Sequence, residues 1–258
     1  MALKVTVMSP LHQVGSSVVS AMLAQGITYS NHSATLLFNQ EDSKLPNYIG
    51  IDDVSDPTRS VMQIVKLIDS GSIQDNDILD YTYNFATNVN LLNTADRTMS
   101  AKDKSQVINY VFKRTPTDVV ILDNSDDLST LTSTHLINDS DVIFVVVQMF
   151  PKAFERLKIW LDYASLKDKA NVYVVFAEYN EVVFSIRDLA RYIGLPASRV
   201  LKLHYNPWIA KCCINKQLHT ILPLAMNKDP RVVNLRNDIL EFNAVLTSEM
   251  LAASRKEI

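Results

Sequence analysis

The chain has 258 residues, of which 47% are hydrophobic and 21% charged, and carries a formal net charge of -3. That composition supplies the core of one large domain, excludes wholesale disorder and argues against a uniformly basic coat for nucleic acid. The only cysteines, Cys212 and Cys213, are adjacent; this gives neither a disulfide framework nor the paired spacing of a structural zinc site, and a reducing cytoplasm is the expected compartment.

Leu3 to Met8 (LKVTVM) is the first expected strand. Its apolar stretch is too short for a signal-peptide core. A helix is expected over Ser16 to Gln25, ending before Gly26, and then a strand over Ala34 to Phe38. Pro57 to Ser70 reads as a helix, with Asp56 as cap and proline at the first helical position. Ala101 to Lys113 is the next helix. Val119 to Leu122 follows a Thr-Pro-Thr-Asp turn signal and reads as a strand. Val142 to Val147 (VIFVVV) is the most apolar run, far short of the roughly 20 residues that span a bilayer. It also reads as a strand. Helices over Lys152 to Ser165 and Ser185 to Ile193 bracket a strand at Val172 to Phe176. Gly194-Leu195-Pro196 stops the second of these helices. A strand at Val200 to Leu203 and a helix over Asp229 to Leu251 close the order.

Several strands are apolar at consecutive positions, as parallel strands buried on both faces are. Strands alternating with helices imply right-handed crossovers. The fold class expected is α/β, a three-layer α/β/α arrangement with a mostly parallel central sheet. No repeat or linker divides the chain, so residues 1–258 read as a single domain with the helix at about 229–251 packed on it.

Charge is uneven. Residues 1–150 carry 9 Lys+Arg against 17 Asp+Glu, and residues 151–258 carry 16 against 11. Two readings stay open: an uneven solvated surface, or a basic C-terminal face that meets DNA, an acidic protein or a neighbouring subunit.

Ligands of such sheets bind at the carboxyl ends of the strands. The first strand-to-helix turn runs Ser9-Pro10-Leu11-His12-Gln13-Val14-Gly15-Ser16-Ser17. Against the phosphate-binding pattern G-x-x-x-x-G-K-[ST], Pro10 stands at the first glycine and Gly15 is kept. Ser16 replaces the lysine, and Ser17 keeps the hydroxyl that would reach Mg²⁺. Asp118 to Asp123 (DVVILD) is an apolar strand ending in aspartate. It reads either as a Walker B strand or as an ordinary strand with a terminal aspartate. Glycine is scarce, with 5 in the chain, and phosphate loops depend on it.

In the order of these landmarks the chain resembles the ParA/MinD family of deviant-Walker P-loop ATPases, and most the CpaE/TadZ branch. Aligned from Gly15, the family's x-K-G-G-x-G-K-T-T places Leu11 at the signature lysine, His12 and Gln13 at the glycine pair, Val14 before Gly15, Ser16 at the second lysine and Ser17 at the first threonine. The family's Asp-x-Asp falls on Asn39-Gln40-Glu41. Its "D-x-v-i-i-D-t-p" falls on Asp118 to Ser125, and "a-a-D-x-v-l-v-v-v" on Asn138 to Val147. The late "i-p-x-D-p" segment matches Leu203 to Pro207, so Asn206 and Pro207 join the implied nucleotide site. The match runs at low identity from the first strand to about residue 222.

The resemblance implies ATP or ADP with Mg²⁺ as cofactor, Ser17 and Asp123 as the Mg²⁺ residues, and a homodimer. The departures qualify it. Both lysine positions are non-basic, which removes charge-assisted contacts to phosphate and charge stabilisation in the transition state. Asn39 cannot act as a base, leaving Asn39 and Glu41 as eroded catalytic positions. Pro10 supplies no N–H. Residual binding through the backbone of Gly15 to Ser17 at a helix N-terminus stays open. The expected function is therefore a degenerate ParA/MinD-like scaffold for spatial organisation or assembly. It would position a secretion, pilus or conjugation machine with weak or no ATP hydrolysis. The alternative is an active partition-type ATPase that binds ATP and segregates DNA through the basic half.

Other features point elsewhere less strongly. The five histidines lack metal spacing, and Val14-Gly15-Ser16 is not a hydrolase nucleophile elbow. Cys212 and Cys213 read as helix packing residues. Val232, Leu235, Ile239, Phe242, Val245, Leu246 and Met250 form an apolar stripe on the last helix. Its mixed charges, Arg231 and Arg236 with Asp238, Glu241 and Glu249, favour core packing over membrane binding. Protein components of a larger assembly are the expected partners, with no direct membrane contact. Lys152, Arg156, Lys158, Trp160 and Tyr163 mix cations and aromatics and read by default as a surface helix.

Overall fold

Strands form where β-branched and apolar residues run consecutively. The computed structural model describes residues 2–11, 15–38, 45–51, 59–94, 99–124, 136–163, 165–169, 171–227 and 229–256. Its strands are β1 (Leu3–Met8), β2 (Ala34–Phe38), β3 (Tyr83–Ala86), β4 (Val89–Asn93), β5 (Val119–Asp123), β6 (Val142–Gln148), β7 (Val172–Tyr179) and β8 (Val200–His204). They make one sheet in the order β3-β4-β2-β5-β1-β6-β7-β8. Every pair is parallel except β3 with β4. The helices are α1 (Ser16–Thr28), α2 (Leu45–Ile49), α3 (Val61–Asp69), α4 (Asp77–Asp80), α5 (Ala101–Arg114), α6 (Pro151–Tyr163), α7 (Ile186–Ile193), α8 (Pro207–Ile214), α9 (Ile221–Met226) and α10 (Val233–Lys256).

The period of two along each strand sorts side chains to two faces. On β6, Val142, Phe144 and Val146 join the core beneath α1 and α10, while Ile143, Val145 and Val147 join the core beneath α6 and α7. On β5, Val119 and Ile121 face α1, while Val120 and Leu122 face α3 and α5. All six apolar residues of β6 are wholly buried. Each contributes about 1.5–3 kcal/mol over an exposed state, which makes the shared double-sided sheet the main source of stability.

Helix starts follow a repeated local rule. Ser100 accepts from the Asp103 N–H at 3.1 Å and donates to its carboxylate at 2.7 Å. Ser185 does the same with Asp188 at 3.2 and 2.6 Å. Both are N-cap serines with an acid three residues on. Gly194 closes α7 at φ 75°, a conformation that glycine adopts without strain.

Helix α10 is tied to the body by polar bonds as well as by Leu235, Ile239, Phe242 and Leu246, all wholly buried. Asp238, wholly buried, accepts from the His204 backbone N–H at 2.8 Å and from His204 Nδ1 at 2.9 Å. The Tyr173 hydroxyl donates to Glu249 at 2.6 Å. A Cβ on Gly26 would lie 3.2 Å from Ile239 Cγ2, so this glycine sets how closely α1 and α10 approach.

The six strands expected from sequence are present. The structure adds β3 and β4, whose segments Tyr83 to Ala86 and Val89 to Asn93 are rich in asparagine and lack the apolar run of the others. Three further differences have plain causes. Helix α1 continues through Gly26 to Thr28, because close packing against α10 holds that glycine in the helix. Helix α3 begins at Val61, with Ser60 accepting from the Met62 N–H at 3.3 Å; the expected start at Asp56 and Pro57 lies outside the described residues. The last helix begins as a short 3-10 turn at Pro230–Val232. Helix α8 contains Cys212 and Cys213, which read as helix residues in the sequence, whereas α9 is too short for its periodicity to stand out.

Asp238→Ala is expected to destabilise the protein by about 2 kcal/mol, because it strips the partly buried His204 of the partner of its backbone N–H and of Nδ1. Urea unfolding of the variant beside the native protein measures this, and a loss below about 0.5 kcal/mol would rule out the anchoring role.

Candidate functional site

The turn from β1 into α1 sits at the carboxyl ends of the central strands. Ser9 fixes its start: its hydroxyl donates to the Leu11 carbonyl at 2.7 Å and accepts from the Leu11 N–H at 3.2 Å. Leu11 packs its side chain against the main core. An apolar residue there is held down by burial, in the place where the family pattern has a lysine. His12, Gln13 and Val14 lie outside the described residues, as do Asn39 and Glu41.

Gly15 is the N-cap of α1 at φ 91°, with no side-chain cap. Only glycine adopts that conformation readily. A Cβ there would rest at an ordinary 3.8 Å from Ala177 of β7, so backbone geometry, and not crowding, selects the residue. The first turn of α1 has no acidic residue, and its amide groups and the positive end of the helix dipole suit an anion. Ser16 is 6% exposed. A short hydroxyl is thus tucked in where a lysine would extend.

Asp123, the last residue of β5, pairs in register with Val7 of β1 and Phe38 of β2. It is wholly buried. Burial pushes its pKa up to about 6, and the nearby hydroxyls of Ser17 and Ser20 draw it only part of the way back. Neither hydroxyl makes a hydrogen bond of standard geometry to it. Among the described residues both carboxylate oxygens and the Ser20 hydroxyl are without a partner. A buried, unpartnered carboxylate is costly, and a cation or a proton removes that cost. Ser17 and Asp123, the residues expected to serve Mg²⁺, are therefore brought together.

Asn206 and Pro207 start α8 at the end of β8. The Asn206 side chain accepts from the Trp208 N–H at 2.9 Å and donates to the Arg231 carbonyl at 3.0 Å, so its polar atoms act in the structure of the turn. Lys211 Nζ and the Arg231 guanidinium each lie 4.1 Å from the Trp208 ring centroid, and Arg231 pairs with Asp229. This cationic, aromatic turn escaped sequence reading, as did the His204–Asp238 pair. Asp238 was the readable signal, since a carboxylate there interrupts the apolar stripe of Leu235, Ile239 and Phe242. Cys212 is buried and Cys213 half-buried. Burial, and next the neighbouring Cys212, push the Cys213 thiol up to about 11, which leaves it a poor nucleophile.

No protein-family model matches the sequence, and no curated protein is similar to it. Solved structures do resemble it. A ParA family ATPase from Chlorobium tepidum superposes with a TM-score of 0.73 at 11% identity, over 95% of this chain and 99% of that one. The chain has the ParA/MinD fold. A chain of the MinC:MinD cell division complex of Aquifex aeolicus gives 0.71 at 11% identity, over 96% of each chain. The septum site-determining protein MinD from Pyrococcus horikoshii, complexed with Mg-ADP, gives 0.63 at 12% identity, over 94% of this chain and 95% of that one. At these identities the likeness is one of fold.

Within the ParA/MinD fold, the residues present fit a Mg²⁺-bound phosphate in part. Asp123, the Ser17 hydroxyl and the open end of α1 suit it, while Leu11 and Ser16 supply no cation. Among the described residues no cluster of three or more His, Cys, Asp or Glu forms a separate metal site, and no helix is long and apolar enough to cross a membrane.

A carboxyl pKa raised to about 6 favours the folded state fully below the unfolded value of about 4, and that contribution is lost as pH rises through the folded pKa. At pH 8, Asp123→Asn is expected to stabilise the protein by up to about 3 kcal/mol. The gain should vanish near pH 3.5. Mg²⁺ should raise the unfolding midpoint of the native protein and leave that of the variant unchanged. Denaturant unfolding at the two pH values is the check, and a gain that persists at low pH would show that burial of charge is not its cause.

Proposed function

We infer that this chain is a degenerate ParA/MinD-like protein. It serves as a spatial-organisation or assembly scaffold in the cytoplasm, of the CpaE/TadZ kind, that positions a secretion, pilus or conjugation machine. One observation carries the reading: the two lysine positions of the family pattern are Leu11, packed on the core, and Ser16, 6% exposed. Neither can bring a cation to a polyphosphate. When bound, a Mg²⁺-nucleotide would supply the γ-phosphoryl group and its counter-ion. Asp123 and Ser17 would hold the ion, and the backbone of Gly15 to Ser17 would hold phosphate oxygens. Charge stabilisation of phosphoryl transfer by a loop lysine has no counterpart, and such groups commonly contribute several kcal/mol. Binding without efficient turnover is the consequence, with the nucleotide acting on conformation or assembly. The MinC:MinD complex supports protein partners as the readout of this fold.

Calorimetric titration with ATP and ADP in Mg²⁺, together with phosphate release, tests this. Turnover is expected to be roughly 100-fold or more below that of a lysine-bearing ParA family ATPase assayed beside it. Comparable turnover would overturn the reading and favour an active partition-type ATPase. Salt-dependent DNA affinity that rises with nucleotide would then mark that alternative.

A further inference from the structure

Helix α5 concentrates cations in a part of the chain that is otherwise acidic. Residues 1–150 hold nine Lys+Arg against 17 Asp+Glu, and four of those nine, Lys102, Lys104, Lys113 and Arg114, lie on this helix. Its apolar residues fix how it sits: Val107, Ile108, Val111 and Phe112 are buried in the core shared with α3. At the helical period, Lys102, Gln106, Asn109 and Lys113 then fall on one outer face.

That face is one wall of an open groove of about 710 Å³. Ile68 and Asp69, at the end of α3, belong to the other wall. Gln106 Nε2 donates to Asp69 Oδ1 at 2.9 Å, which ties the walls together and engages the one acid of the lining. Ser105, Gln106, Asn109 and Tyr110 supply polar groups, and Lys102, Lys113 and Arg114 supply charge. The volume is that of a ligand site, and an open groove admits a segment of chain.

The charged groups around the groove define its occupant. Helices α3 and α5 together carry five cations and two acids. Both acids are engaged, Asp69 by Gln106 and Asp103 by the Ser100 hydroxyl at 2.7 Å. Beyond the helices, Asp77 accepts from the Gln74 N–H at 2.7 Å. Asp75 lies 3.9 Å from Arg114, and both side chains are more than half exposed, so the pair is weak. Among the described residues Lys102 and Lys113 have no ion-pair partner. The groove is thus cationic within an acidic half of the chain. Such a field draws a few carboxylates inward and repels a long polyanion from the surroundings. A short acidic peptide suits it better than a nucleic acid.

We propose that the α3–α5 groove binds an acidic segment of a partner protein. Lys102, Lys113 and Arg114 take its carboxylates, and Gln106 and Asn109 its backbone. The groove lies across the sheet from α1, so the inference stands whether or not the β1–α1 turn holds nucleotide.

Fluorescence anisotropy of a labelled hexaglutamate peptide, titrated with the full chain, tests it. Saturable binding is expected. Lys102→Glu with Lys113→Glu should weaken it roughly tenfold or more. Asn109→Trp fills the groove without changing its charge and should weaken it too. Lys152→Glu with Arg156→Glu, on α6 in the basic half, should leave it unchanged. Circular dichroism and the melting temperature of each variant should match those of the native chain. Absence of saturable binding, or equal loss in the α6 variant, would overturn the proposal. Binding that survives Asn109→Trp would do so as well, because it would reflect surface charge and not the groove. An oligothymidylate of the same charge that binds more tightly, and is lost in the same variants, would overturn it in favour of a nucleic-acid site.

Discussion

Burial of the central strands on both faces is the constraint from which the remaining features follow. β1, β5 and β6 have no solvent face, so their polar backbone must pair within the sheet and their side chains must be apolar on either side. A polar side chain inside such a strand must be bonded, as Thr6 is to Ser140 at 2.6 Å, which leaves unpaired polar groups to the strand ends. Asp123 obeys the rule by position, as the terminal residue of β5, and breaks it by environment, since it is wholly buried. Among the described residues its carboxylate has no hydrogen-bond partner, which sets the carboxyl edge of this sheet apart from the rest of the core. Stability alone would have placed an apolar residue or a bonded polar one there.

Among the described residues of the β1–α1 turn at the same edge, no side chain is a lysine or an arginine. A phosphate site has two parts: backbone amides that shape the cradle, and cations that offset charge. Gly15 at φ 91° and the uncapped start of α1 retain the first. Leu11 and Ser16 remove the second, each by a different route: Leu11 folds back on the core through its Ser9-fixed turn, and Ser16 is too short and too buried to reach out. The glycine conformation and the buried aspartate thus stand at this edge without a lysine in the turn between them.

Much of the architecture was legible because its signals are local. Runs such as VIFVVV can only be strands buried on two faces, and Ser-x-x-Asp at Ser100 and Ser185 announces helix starts. The antiparallel β3–β4 ribbon was not legible, because Tyr83 to Asn93 owes its strand structure to pairing with β2 and not to its own apolar content. The helix through Gly26 was misjudged for a related reason: the glycine is explained by Ile239, more than 200 residues on in sequence. At the site, Ser17 and Asp123 could be read because strand order fixes them. The His204–Asp238 pair could not, since it joins a strand end to a helix through a contact that no local spacing encodes.

Strand β7 connects the surroundings of Gly15 with the β7–α7 connection. Ala177 lies beneath Gly15 at the phosphate-type turn, and one residue later the backbone of Glu178 takes a positive φ. Tyr179 then both pins the Phe184 carbonyl and packs edge-on against His204 at 5.3 Å. His204 in turn is held by Asp238 of α10. A bulge on a central-sheet neighbour costs ladder hydrogen bonds, and cores are bistable more than they are elastic. Through three consecutive residues, Ala177 to Tyr179, one strand therefore runs from beneath Gly15 to the β7–α7 connection. Gly15 and the exposed Val182 and Val183 thus lie at successive points along one element.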